Sequence, residues 1–213
     1  SLIIPASAAT QQSNNTGVQP LTESDVSAYI QAATRTRTEV LNGETVTYYF
    51  GENFGVAKDS TGYYLAQCEG SPIRLSVNGR ELETKMLPVA SPRIDLPTAW
   101  STVVDTGRLS VDIAGLTVTA AGLAIELYMS TAIPGGGVAG SIISTAISQL
   151  GYTVLPDGYY ATVRFVSKYR IIKIHPSIAE YDDTLTIHMG PGNNKLKHLL
   201  VNNHSNYEKR LED

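Results

Sequence analysis

The segment Ile133–Gly151, "IPGGGVAGSIISTAISQLG", carries no charge and sets three consecutive glycines behind a proline. Small residues then recur at four-residue steps. Gly136, Gly140, Ser144 and Ser148 fall on one ridge of a helix, the spacing that lets a second helix backbone approach closely. Ile142 and Ile143 supply adjoining apolar surface. Pro134 ends the helical run before it and the glycines permit a tight reversal. Residues 109–151 are therefore expected to form a hydrophobic αα-hairpin. Its first arm runs from Ser110 to about Thr131 and its second from Gly136 to Leu150. Small residues mark the first arm too, at Gly115, Thr119 and Gly122, with Ala114, Ala121 and Ala124 nearby.

Such a hairpin has two readings. No charge occurs between Glu126 and Asp157, which fits a hairpin able to enter a membrane. It also fits a helix pair buried at the centre of a domain, the commoner origin of a charge-free helix. Length argues against a permanent two-span anchor, because a helix from Gly135 to Gly151 reaches about 25 Å against a hydrocarbon core of roughly 30 Å. Asp112 and Glu126 in the first arm add a further cost in lipid.

After Asp157-Gly158 the texture becomes strand. In "YYATVRFVSKYRII", Tyr159, Val163, Phe165, Tyr169 and Ile171 share one face, and Arg164, Lys168 and Arg170 share the other. Residues 157–189 are expected to be a closing β-hairpin, with "YDDTLTIHM" as its shorter second strand. The three cations could contact an anionic membrane surface, or they could line an ordinary solvated face.

Upstream, residues 35–87 read as an antiparallel β-meander. Asn42-Gly43 and Asn78-Gly79 each separate two strand-forming runs and are expected to be two-residue turns with positive φ. A further reversal falls at Asp59–Gly62. Pro88, Pro92 and Pro97 take the chain out of the sheet. Before the meander, Thr22 is the expected N-cap of a helix of about three turns carrying Val26, Tyr29 and Ile30. Residues 10–21 read as a polar leader. Residues 190–213 read as a polar tail or surface helix, its apolar part at Leu196–Val201.

Residues 1–9, ending in Ala6-Ser7-Ala8-Ala9, have the look of a signal-peptide remnant and imply a secreted, extracellular protein. The lone Cys68 forms no internal disulfide, which suits export from a Gram-positive bacterium. With 42% hydrophobic and 17% charged residues the chain is globular, and a net charge of −4 without a basic run gives no reason to expect nucleic acid as a partner.

Catalysis finds no support. His175, His188, His198 and His204 show no paired metal-ligand spacing, though His175 and His188 could meet across the closing hairpin. Glu180, Asp182 and Asp183 could cup a calcium ion in a turn but lack a full set of oxygens. No nucleophile elbow, P-loop or dinucleotide fingerprint is present. No catalytic residue, metal or cofactor is expected.

The "PGGGVAG" hairpin followed by an aromatic and basic strand resembles secreted Gram-positive proteins related to geobacillin-type large bacteriocins, over residues 110–175. The resemblance implies a membrane-active antimicrobial protein without enzymatic activity. The expected fold is α+β: one domain over residues 22–189 with a meander, a hydrophobic helical hairpin and a closing β-hairpin. The expected function is bacteriocin-like membrane activity through a glycine zipper. The alternative is a secreted, non-catalytic structural or assembly protein whose hairpin is only core. Self-association and a protein partner stay open.

Overall fold

A computed structural model describes residues 17–87, 101–103, 108–132, 140–171, 178–191, 197–203 and 208–210, with side chains over 17–85, 110–132, 143–145 and 147–162. The fold is α+β, as expected. A helix α1 (Glu23–Ala32) leads into six strands: β1 (Arg35–Leu41), β2 (Glu44–Phe50), β3 (Phe54–Asp59), β4 (Gly62–Glu69), β5 (Arg74–Val77) and β6 (Arg80–Leu82). They pair in chain order, each antiparallel to the next.

Local chemistry sets the turns. Asn42 (φ 53°) and Gly43 (φ 82°), like Asn78 (φ 49°) and Gly79 (φ 80°), occupy the left-handed region at both central positions, as expected of type I′ hairpins. Asn78 is also tied down: Leu65 N–H donates to its Oδ1 at 2.7 Å, and its Nδ2 donates to the Gln19 carbonyl at 2.6 Å. Thr22 caps α1, its backbone N–H donating to the Asp25 carboxylate at 2.9 Å.

Strand alternation covers this sheet on both faces. Val56, Tyr63 and Leu65 meet Val26 of α1 on one side. Val46, Tyr48, Phe50, Ala57, Tyr64 and Ala66 join the main core on the other, with α2 (Val118–Ala132) and α3 (Gly140–Ser148). The sheet lets α2 come close at Gly55, where an added β-carbon would lie 2.8 Å from Leu123 Cδ1.

The meander, expected to run to residue 87, ends at β6, because Thr84–Leu87 pairs with a strand of another sheet instead. Strand β7 (Thr84–Leu87) crosses into a second antiparallel sheet with β9 (Arg108–Asp112), β10 (Tyr159–Ile171), β11 (Ile178–Pro191) and β12 (Lys197–Asn203). Its order is β12-β11-β10-β9-β7, with β8 (Ser101–Val103) also on β10 and β13 (Glu208–Arg210) also on β11.

Three further expectations need correction. Ser110–Asp112 is strand rather than helix, because β9 completes ladders to β10 and β7. A turn at Gly115 (φ 72°) then precedes α2, whose first turn is capped by Thr117 Oγ1 accepting from Ala120 N–H at 3.2 Å. The second strand of the closing hairpin is not the shorter one, since β11 has 14 residues against 13 in β10. Residues 197–203 are strand rather than tail or helix, their Leu199 and Val201 set opposite Ile187 and Leu185. The signal remnant, most of the leader, the Pro88–Pro97 connector, the glycine reversal with Gly136, and His175 and His204 lie outside the described residues.

Candidate functional site

The helix seam is built from its smallest residues. A β-carbon added at Gly122 of α2 would lie 2.8 Å from Ser144 Oγ and 3.4 Å from Ser144 Cβ on α3. Ile143, Ser144 and Ile147 are fully buried and Ser148 nearly so, while Thr145 between them is exposed. Ser148 turns its hydroxyl to the Thr145 carbonyl at 2.7 Å. Gly140 and Ile142 lie in or beside the first turn of α3, with no side-chain placement described. Gly115, expected within the seam, sits instead in the turn before α2.

Beside the seam lies an ionic cluster. Glu126 of α2 is fully buried, and its two oxygens divide between two arginines of β1. Arg35 Nη2 reaches Oε1 at 3.3 Å and Arg37 Nη2 reaches Oε2 at 2.5 Å. Arg37 also meets Glu39 at 2.6 Å. Both guanidinium groups lie over β2 rings, Arg35 over Phe50 and Arg37 over Tyr48, each 4.4 Å from the centroid. Tyr48 donates to Ser144 Oγ at 3.2 Å, which ties sheet, α2 and α3 into one network.

Its electrostatics are those of a fastening. Burial pushes the Glu126 carboxyl above its ordinary range against the pull of Arg37 and Arg35. Burial likewise drives the Tyr48 phenol upward, opposed by its bond to Ser144. A phenol that holds its proton this tightly is no base for the Ser144 hydroxyl. Two acids and two arginines balance to zero.

Sequence reading missed this cluster. Glu126 was visible as the last charge before a long apolar stretch. The alternation of Arg35, Arg37 and Glu39 was visible too, but nothing local linked positions 91 residues apart.

In the second sheet the backbone register rearranges the expected cationic face. Lys168 stands opposite Asp182 and Arg170 opposite Glu180, whereas Arg164 stands opposite Thr186 on one side and Arg108 on the other. Directly opposed residues share one face of an antiparallel pair, so two of the three cations have an acid as cross-strand neighbour. The same register corrects the calcium turn. Glu180, Asp182 and Asp183 lie within β11, with Asp183 opposite Ser167 on the alternate face. His188 meets no histidine across the closing hairpin, where Thr162 stands opposite it; His198 of β12 faces it from the other side.

Among the described residues no group of three or more metal-ligating side chains converges, and no helix is long and apolar enough to cross a membrane. The fold and the cluster define an α+β protein of two antiparallel sheets, one clasped by helices through a buried ion network. Comparison with family models, curated proteins and solved structures returns no match.

Proposed function

We propose that this is a secreted, bacteriocin-like protein that acts on membranes without catalysis, meeting the bilayer through its second sheet while its helices serve as core. The observation that carries the proposal is the two-residue alternation along registered strands. Opposed pairs Ala161 and Met189, Val163 and Ile187, and Phe165 and Leu185 are apolar, and the pairs between them are polar or mixed. α1 packs on β3 and β4, α2 on β2 to β5 and α3 on β1, while at the near end of this sheet Val111, Tyr159 and Ala161 join the main core with α2 and α3, so the surface offered to the bilayer lies beyond Ala161.

Leakage of dye from phosphatidylglycerol-containing vesicles tests it. Leakage that rises with protein concentration and falls with salt supports the reading. Intact vesicles with no bound protein at any salt defeat it.

A second reading has its own observation. From Ala120 to Met129 every residue of α2 is buried, and Glu126 is fastened by two arginines. This favours the non-catalytic structural or assembly protein whose hairpin is only core, which intact vesicles would leave standing.

A further inference from the structure

Resting on the membrane reading, we propose that the β10–β11 hairpin crosses the bilayer as two strands of a β-barrel assembled from several copies of this chain. Length separates strand from helix. A spanning helix needs about 20 apolar residues and a spanning strand only about 9–11. The described helices α2 and α3 have 15 and 9 residues, while β10 and β11 have 13 and 14 and pair along the whole of β10.

The register rows fit a barrel wall. Rows Ala161/Met189, Val163/Ile187, Phe165/Leu185, Tyr169/Tyr181 and Ile171/Ala179 form one set. Rows Thr162/His188, Arg164/Thr186, Val166/Thr184, Lys168/Asp182 and Arg170/Glu180 form the alternate set, with its last two cations opposed by acids. Barrel strands alternate in this way between a lipid side and a watery lumen.

Tyrosines stand at both ends of the apolar rows. Tyr159 opens the apolar set of β10, and Tyr169 lies opposite Tyr181 near its far end. The ten residue steps from Tyr159 to Tyr169 cover about 34 Å along the strand, or about 24 Å of depth at a 45° tilt. That matches the apolar band of roughly 25 Å flanked by aromatic girdles in membrane barrels. The one polar row in the apolar set, Ser167/Asp183, lies next to the Tyr169/Tyr181 girdle, where charge costs least.

Closure requires several copies. A lone hairpin leaves two open edges, which hydrocarbon does not tolerate. In this state β9 and β8 occupy one edge of the hairpin and β12 and β13 the other. Neighbouring copies would take those places in the barrel. Tyr159 and Ala161 are buried in the main core, from which insertion would withdraw them.

The test uses full-length Cys68→Ser protein carrying one new cysteine at a time at positions 162–167, each labelled with a polarity-sensitive fluorophore and added to phosphatidylglycerol/phosphatidylcholine vesicles. Probes at 163 and 165 should shift to the blue and be quenched by nitroxide lipids, while those at 164 and 166 should not. A probe at 142 on α3 should stay unchanged. Leakage with no alternation, or with the α3 probe entering lipid instead, overturns the barrel hairpin and leaves the membrane reading intact. Absence of binding and leakage overturns both.

A disulfide test covers probe positions that disturb folding. Ser110→Cys with Thr162→Cys, opposed in the register and outside the charged positions, would staple β10 to β9. Leakage should vanish when this pair is oxidised and return on reduction. Equal leakage in both states counts against release of the hairpin.

Discussion

Ser144 of α3 occupies the space that any side chain on Gly122 of α2 would need, its Oγ lying 2.8 Å from where a β-carbon would stand. That contact places a small residue of each expected helix at one seam. Gly122→Ala should therefore cost about 1–2 kcal/mol through overpacking, although alanine favours a helix by about 1 kcal/mol over glycine. Ser144→Gly carries its own cost, since it leaves the Tyr48 hydroxyl without its acceptor, but in that background Gly122→Ala should cost less than it does in the parent. Urea denaturation of the two single variants and their combination measures both effects. A Gly122→Ala protein as stable as the parent would show that the seam is looser than the contact implies.

The ionic cluster predicts an unequal pair of arginines. Arg37 is 20% exposed and Arg35 45%, while the carboxylate they share is fully buried. Arg37→Ala leaves a buried acid poorly compensated and should cost about 3 kcal/mol at pH 8. Arg35→Ala should cost no more than about 1 kcal/mol, since water already screens that pair. Equal losses in chemical denaturation would contradict the geometry.

The same carboxyl sets a pH dependence whose sign is fixed by its direction of shift. Burial raises Glu126 above the ordinary 4.5, so the folded protein binds that proton more tightly than the unfolded chain does. Its contribution is fully present below about pH 4.5 and is lost as pH rises through the folded value. Glu126→Gln removes the titration. The stability difference, variant minus parent, should therefore grow with pH above 4.5. A difference that is flat from pH 4 to pH 8 sinks this assignment.

The turns allow a comparison between two identical dipeptides. Asn42 and Asn78 both have positive φ, but Asn78 also holds Leu65 N–H and the Gln19 carbonyl. Alanine in the left-handed region costs about 1–2 kcal/mol at either site. Asn78→Ala should lose about 1–2 kcal/mol more, for bonds that Asn42 does not make. Thermal melts of the two single variants decide it, and equal melting points would count against the Asn78 anchor.

These outcomes mark where the sequence was legible. Both Asn-Gly turns, the Thr22 cap and the six-strand meander follow from local chemistry, which short-range patterns report well. Ser110–Asp112 misled because small and aliphatic residues there suit helix and strand alike, and only pairing with β10 and β7 decides between them. Leu199–Val201 misled for the same reason. The Glu126 cluster depends on contacts that span most of the domain, which no local pattern encodes. The cationic face was legible as a strand face, but its partners were not, because they depend on register.

Register also dictates how charge should govern membrane contact. Changing Arg164, Lys168 and Arg170 together to Gln would take the net charge from −4 to −7 and leave Asp182 and Glu180 without their cross-strand cations. A loss of binding in that variant would not say which cation mattered. Two narrower variants separate the sources. The first replaces Arg108 and Arg164, which stand opposite each other with no acid directly across in either described pairing of Arg164. At about 1 kcal/mol per cation near an anionic surface, its affinity for phosphatidylglycerol vesicles should fall about 30-fold at low salt. The second replaces Lys168, Asp182, Arg170 and Glu180 by their neutral amides or Gln, which leaves the net charge unchanged. Its affinity should stay within about threefold of the parent, because each cation leaves together with its opposing acid. If the four-residue variant loses binding while the arginine pair is neutral, the opposed charges are not compensated at the membrane. The surface proposed from the register is then the wrong one.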